Sequence, residues 1–420
     1  MASKESRSRI VQLANNILTS VSKIDEFLSE KGIESPSFNE DASFDMPLEI
    51  TPDQDIVIDA TAELHDLLVE PLTLIHKHGG HNNSVCLEAI SEFKIADLVP
   101  ANGQISFDDI AKHTPMTSDM TARILRHAMT MRIFREAEPG MVAHTAASRV
   151  LRHSAANDWL GAGTKEMWPA ACKMVDALQK WPKSEETNET GYALSNNGLE
   201  TVYDIFARDS ERALRWARGM QVFGQRPQFN LSFVTDYYDW ASLGEAQVVD
   251  VGGSQGHVSL ALAEKFNNLD MIVQDMEKVV ENATVPEELQ GRVKFMAHDF
   301  FAQQPVQGAD VYYLRWILHN WSDKYCILIL RALLPALKHG ARVIINESLM
   351  PVPGAEAMWK EKSLRATDLN MAAAFNAKER TVAEFKALFE KSDAGFVLHR
   401  VIEPKGSALG MLEFVWEGTH

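Results

Sequence analysis

From position 247 onward the chain alternates short apolar runs with amphipathic stretches: QVVDVGG, HVSLALAEKF, MIVQD, VKFMAHDF, DVYYLRWIL and ARVIINESLM, with helices near 276–283 and 323–338 between them. Apolar strands separated by helices predict a doubly wound, mostly parallel sheet. VAEFKALFEKS, FVLHRVIEP and MLEFVWEG add one more helix and two strands that would close one edge as a hairpin. Upstream the spacing is helical. Residues 5–31 set Ile10, Leu13, Ile17, Val21, Ile24 and Leu28 on one face, with no partner nearby in sequence, and a long helix is predicted from about Asp55 to Gly79-Gly80. The intervening stretch GIESPSFNEDASFDMPLEITPDQ reads as an extended connector. From 86 to about 153, three helical segments precede a hairpin at Glu138-Pro139-Gly140, which is a winged-helix pattern. The expected division is N-terminal helices (1–85), a winged-helix-like part (86–155), a helical connector that would wall a substrate pocket (156–240) and an α/β part (241–420).

A length of 420 residues suits two or three packed units, and 41 Lys plus Arg against 58 Asp plus Glu leave a net charge of −17. That balance argues against nucleic acid or an anionic membrane as a partner, since both need a basic footprint. It lowers the DNA-reading interpretation of the Arg123, Arg126 and Arg132 helix, so the winged helix is expected to be a packing element. Cys86, Cys172 and Cys326 are scattered, as in a reducing compartment. No stretch has a secretory h-region or membrane-span length, and a cytoplasmic protein is expected.

The first α/β strand ends in Asp250-Val251-Gly252-Gly253-Ser254-Gln255-Gly256-His257 and runs into a helix. Glycines here let the backbone approach a ligand at the C-terminal edge of the sheet. Asp275 closes the second strand 22 residues after Gly253, where a carboxylate suits ribose hydroxyls. A dinucleotide fold offers the same pair, but its glycines follow G-x-G-x-x-G, whereas this turn has a hydroxyl at Ser254. Asp299 and Phe300 end the third strand, an acid for an adenine amino group and an aromatic for its ring. Adenine and ribose without pyrophosphate fit best.

VVDVGGSQGHVSLALA, IVQDM, AHDFF, YLRWILHNWSD, VIINESLMP and AKERTVAEF together resemble a fungal class I S-adenosylmethionine-dependent O-methyltransferase of the plant caffeate/flavonoid type, from about residue 86 onward. The resemblance implies a Rossmann-like catalytic domain behind an all-α dimerisation and winged-helix region, and a homodimer interlocked through N-terminal helices. It implies S-adenosylmethionine as cofactor, with Gly252 and Gly253 at the methionine portion, Asp275 at the ribose, Asp299 and Phe300 at the adenine, Arg315 alongside, Trp321 stacked near the adenine and Met276 also among the cofactor-binding residues. His319 follows an apolar run at the crevice rim and would take the proton of a substrate hydroxyl. Its second ring nitrogen needs an acceptor, for which Glu347 on the next strand and Glu379 in the AKERT loop are the candidates; beside Arg380, Glu379 also reads as an exposed ion pair. Asp368, Asn370, Met371, Trp168 and Phe223 would contact substrate. So would Asn320, where the family usually has Asp. No Asp/His/Glu grouping has metal-ligand spacing, so no metal is expected. The alternative is a pericyclase or dehydratase on the same fold, acting on pyridone polyketide-peptides without moving a methyl group.

Overall fold

The computed structural model describes residues 7–418, so the first two positions of the helix expected at 5–31 lie outside the described residues. Contacts divide the chain into two units, one comprising the segments up to Pro169, Phe206–Phe223 and Pro353–Ser363, the other Ala170–Ile205, Gly224–Val352 and Leu364–His420. The segment expected as a single helical connector is therefore shared between the units.

In the first unit the helix Arg9–Lys31 ends at Gly32 in the left-handed region (φ 66°) and packs along the helix Thr51–Leu67. That helix is the partner its sequence neighbourhood does not reveal. Arg9 binds both carboxylate oxygens of Glu63, and Lys23 reaches Asp53 at 3.1 Å. The second helix is shorter than expected: it stops at Leu67, and Pro71–His78 is a separate helix. Pro71 has no N–H to donate backward, and the Glu70 side chain accepts the Thr73 N–H at 2.9 Å, which makes a new N-terminus where periodicity alone reads continuity. The connector is pinned by Glu40, whose carboxylate accepts the Asn102 N–H and pairs with Arg149.

The winged-helix pattern folds as helices His81–Glu92, Ile95–Leu98, Phe107–Ala111 and Ser118–Thr130 around buried Ile90, Ile95, Ile110, Leu125 and Phe134. Its wing has three strands in the order β1-β3-β2: β1 (Gln104–Ser106), β2 (Arg135–Glu138) and β3 (Met141–Ala143). Arg126 is spent on Glu136 of the wing (2.8 and 2.9 Å).

The second unit is built on a seven-stranded sheet of β4 (Ala246–Val251), β5 (Leu269–Asp275), β6 (Val293–Ala297), β7 (Val311–Arg315), β8 (Arg342–Glu347), β9 (Phe396–Ile402) and β10 (Gly410–Trp416). The order is β6-β5-β4-β7-β8-β10-β9, parallel from β6 to β8, with β10 antiparallel between β8 and β9. Alternate residues supply two cores. Tyr312, Leu314, Val343 and Ile345 face one together with Phe385 and Phe389, while Val311, Tyr313 and Ile344 face the other with Leu262 and Trp240. Burying both faces leaves the C-terminal edge, between β4 and its neighbours, as the place where polar side chains gather. No described helix is long and apolar enough to cross a membrane.

Candidate active site

At the end of β4 the chain turns sharply. Gly252 and Gly256 have φ of 75° and 73°, and Ser254 holds φ 51° without being glycine. The Gly252 and Gly253 N–H groups both donate to Gln274 O, at 2.8 and 3.0 Å. A Cβ on Gly253 would lie 2.6 Å from the Asp250 carboxyl, and one on Gly252 would lie 2.4 Å from Ile317 Cδ1. The glycines are thus required by the packing of the turn itself. Asp275, at the end of β5, accepts the Ser254 N–H at 2.9 Å through Oδ2 and the Met276 N–H at 2.8 Å through Oδ1. Its carboxylate is fixed, and each oxygen retains accepting capacity. Burial pushes Asp275 upward from the ordinary carboxylate range, and buried Asp250, bonded to Ser259 Oγ at 2.6 Å, up to about 6.

Phe300 lies against Gly252, 3.8 Å from the Cβ position, so the third strand's loop meets the first. Asp299 is exposed and its carboxylate accepts the Phe301 N–H at 2.9 Å; Met276, next to Asp275, is exposed as well. Trp321 sits in an aromatic cluster, edge-on to Phe301 (4.7 Å) and Phe300 (5.9 Å) and stacked with Tyr203 (5.9 Å, 16°). Tyr203 carries no motif, and its position was invisible to sequence reasoning. Arg315 is tied into the protein: it donates to the Asn346 side chain and to Phe229 O, and its guanidinium covers the Trp316 ring at 4.8 Å.

The apolar run DVYYLRWIL is strand only to Arg315, because Trp316 adopts φ 55° and turns the chain out of the sheet. The Ile317 and Leu318 N–H groups then both donate to Glu347 Oε1, at 2.9 and 2.8 Å. His319 therefore sits in a tight turn, Leu318–Asn320, held from beneath by Glu347 at the end of β8. The ring partner of His319 is Glu379, with Nδ1 to Oε1 at 3.0 Å. Of the two acids that sequence left open, Glu379 orients the imidazole and Glu347 orients its backbone. His319 keeps 16% of its side chain exposed while Glu379 is 1% exposed, so the free Nε2 edge is the accessible part of the pair. Asn320 turns inward and donates to Trp316 O at 3.2 Å, a bond that the side chain of the usual Asp, ionised, cannot donate.

Arg380 is no exposed partner of Glu379. It is fully buried, pairs with Asp323 at 2.8 and 3.0 Å, and donates to Leu318 O and Trp321 O, each at 2.9 Å. It thereby holds the His319 turn from both flanks. Asp368, expected at the substrate, accepts the Glu379 N–H at 2.9 Å through Oδ1 and so supports the orienting acid as well. Asn370 and buried Met371 lie on the same helix, Met358–Phe375. Trp168 and Phe223 belong to the first unit, at the start of the helix Trp168–Lys180 and near the end of Ser210–Gly224.

Burial alone would lower the His319 pKa, but Glu347 and Glu379 outweigh it and the net shift is upward. Burial raises Glu347 to about 7, more than His319 and the two backbone N–H groups lower it. Both groups therefore hold protons in the folded state that an unfolded chain has released. Stability falls as pH rises through the window from Glu347's ordinary value of 4.5 to about 7, and levels off above the folded values. Glu347→Gln cannot ionise and its amide oxygen can accept the same N–H groups. Its melting temperature should decline less than the wild type's across that window; parallel declines would exclude Glu347 as a source of the slope.

Comparison with known proteins gives the family. A family model for the O-methyltransferase domain matches residues 179–397, and one for the O-methyltransferase dimerisation domain matches residues 76–154. The chain is 42% identical to the O-methyltransferase PaMT of Phomopsis amygdali over 418 residues, 98% of each protein. Among solved structures it is similar to OxaC in complex with SAH and oxaline (TM-score 0.77, 21% identity, 97% of this chain and 100% of that one). It is also similar to a structure described as a pericyclic reaction enzyme (TM-score 0.72, 22% identity, 95% and 100%). These last two likenesses concern the fold. With the domain, the dimerisation region and the full-length likeness to PaMT all agreeing, this chain belongs to the fungal O-methyltransferases.

Proposed function

We propose that the protein transfers a methyl group from S-adenosylmethionine to a hydroxyl of a small aromatic or polyketide-type secondary metabolite, with His319 as general base. The observation that carries this reading is the imidazole whose Nδ1 is held by buried Glu379 while its other edge is open, two residues beyond an Ile317 that packs on Gly252. The donor set fits the methyl donor: Asp275 presents fixed carboxylate oxygens for a diol, and Phe300, Trp321 and Asp299 offer an aromatic and acidic edge for adenine. Gly252, Gly253, Met276 and Arg315 complete the residues assigned to it. When bound, it supplies an electrophilic methyl group on a sulfonium.

His319 Nε2 receives the hydroxyl proton as the substrate oxygen becomes nucleophilic. Glu379 fixes the tautomer that leaves Nε2 unprotonated beforehand, and both acids stabilise the imidazolium afterwards. Glu347, Arg380 and Asp368 hold the turn and the acid in place, which is where positioning contributes to rate. Asn320, beside the base, and Asn370 and Met371, all in the second unit, are assigned to the substrate. The dimerisation region supports a homodimer, in which the N-terminal helices interlock, and three free cysteines suit a cytoplasmic setting.

The test is incubation with methyl-labelled S-adenosylmethionine and candidate phenols or pyridones. Label in the product supports the reading. Turnover of a pyridone with no label transferred and no S-adenosylhomocysteine formed would establish the pericyclase alternative instead. Two further outcomes are expected. Because no step needs a Lewis acid, chelators should not lower the rate, and a loss restored by added metal would contradict the mechanism. Gly252→Ala places a Cβ at positive φ against Ile317, a strain of about 1–2 kcal/mol. Methyl-donor binding, measured by calorimetry, should weaken roughly tenfold, and unchanged affinity would show that the turn yields freely.

A further inference from the structure

Three other carboxylates whose side chains are largely covered have both oxygens hydrogen-bonded. Glu40 is met by Asn102 and Arg149, Glu166 by Arg212 and Arg215, and Glu413 by Tyr238 and His399. Among the described residues, the only buried carboxylate oxygens without a hydrogen-bond partner are Glu347 Oε2 and Glu379 Oε2. Both residues are more than nine-tenths buried, and both stand at His319. One donor atom from each of His319, Glu347 and Glu379 lies within 4.8 Å of the other two. We propose that this trio is also a binding site for a divalent cation of the zinc class, and that its occupation switches off the base.

The donor set decides the class of metal. One imidazole nitrogen and two carboxylate oxygens suit zinc or cobalt, at about 2.0–2.2 Å per bond, with a fourth position left for water. Calcium needs six to eight oxygens and magnesium an octahedral set, which three side chains do not supply. The His319–Glu379 separation of 3.0 Å is already close to that of two ligands on one tetrahedral ion, and a donor atom of Glu347 stands within 4.8 Å of one on each of the other two. The ion's charge would neutralise two acids buried together. A metal-bound His319 has no lone pair for a substrate proton, so the ion acts as an inhibitor rather than as a cofactor. This last consequence rests on the proposed role of His319; the binding does not.

The test titrates zinc into the purified full-length chain by calorimetry, without donor or acceptor. A Cys172→Ser background removes the exposed thiol as a competing ligand. One zinc per chain is expected, with affinity lowered at least about tenfold by Glu379→Gln and by His319→Ala. Unchanged stoichiometry and affinity in both variants, or no binding at all, would overturn the proposal. Cobalt bound to the wild-type fold checks the ligands without any substitution at the site: visible bands of a four-coordinate nitrogen and oxygen set are expected, and thiolate-to-cobalt charge transfer would count against it. Zinc binding by a chain that methylates no acceptor would leave the metal site standing and remove the methyltransferase reading. Methyl transfer without zinc binding or zinc inhibition would do the reverse.

Discussion

His319→Ala should lower the rate of methyl transfer by about 10²–10⁴-fold, the usual contribution of a positioned general base, while the affinity for S-adenosylmethionine stays close to that of the wild type. The split is expected because the ring is hydrogen-bonded to Glu379, whereas the methyl donor is assigned to the residues at the ends of β4 and β5. The pH dependence carries the same information. A base must be unprotonated to act, and the His319 pKa is raised above the ordinary imidazole value by Glu347 and Glu379 in spite of burial. The rate should therefore climb with pH and reach its plateau at a higher pH than a free imidazole would set. Glu379→Gln removes a raising partner and should shift the rise to lower pH together with a lower plateau. Labelled-methyl assays across the pH range check both; a His319→Ala variant with wild-type turnover would refute the assignment of the base.

Arg380→Met should cost about 3 kcal/mol of stability, the lower end for breaking a buried ion pair, because Asp323 is 35% exposed and is partly resolvated while Arg380 is fully buried. It also leaves Leu318 O and Trp321 O without their donor on either side of His319. Turnover should fall by about 10²-fold, the scale of a small misplacement of a catalytic group, in protein that remains folded at low temperature. Arg380→Lys keeps the charge but cannot span Asp323 and two carbonyls at once, so it should recover stability better than rate. Denaturation and single-turnover measurements on the two variants check this. Equal rate and unequal stability would assign Arg380 to the fold alone.

These effects show which parts of the site were legible in the sequence. The strands of the large sheet are apolar, short and separated by helices, and the residues at their ends are placed by topology alone. That is why the glycine turn, Asp275, His319 and Glu347 could be named together before any geometry was known. The roles within the cluster were not legible. Whether Glu347 or Glu379 meets the imidazole depends on the left-handed turn at Trp316, which sends two backbone N–H groups to Glu347 and leaves the ring to the AKERT loop. Arg380 was read from its neighbour in sequence, whereas its partners come from residues 318, 321 and 323. The break before Pro71 and the first strand of the wing, only Gln104–Ser106, were missed because capping and long-range pairing outweigh periodicity in short elements.

The placement of β10 has a consequence for how the protein comes to be active. It is the last strand along the described chain, yet it lies inside the sheet, with Gly410 opposite Glu347 and its carbonyl bonded to Asn346. The strand that carries the acid beneath His319 therefore has an open edge until everything before β10 has been synthesised. Pairings of such sequence separation form slowly. Completion of the sheet beside Glu347 therefore waits on a strand about sixty residues further along the chain, so folding of the active centre is tied to a long-range pairing and not to the local turn alone.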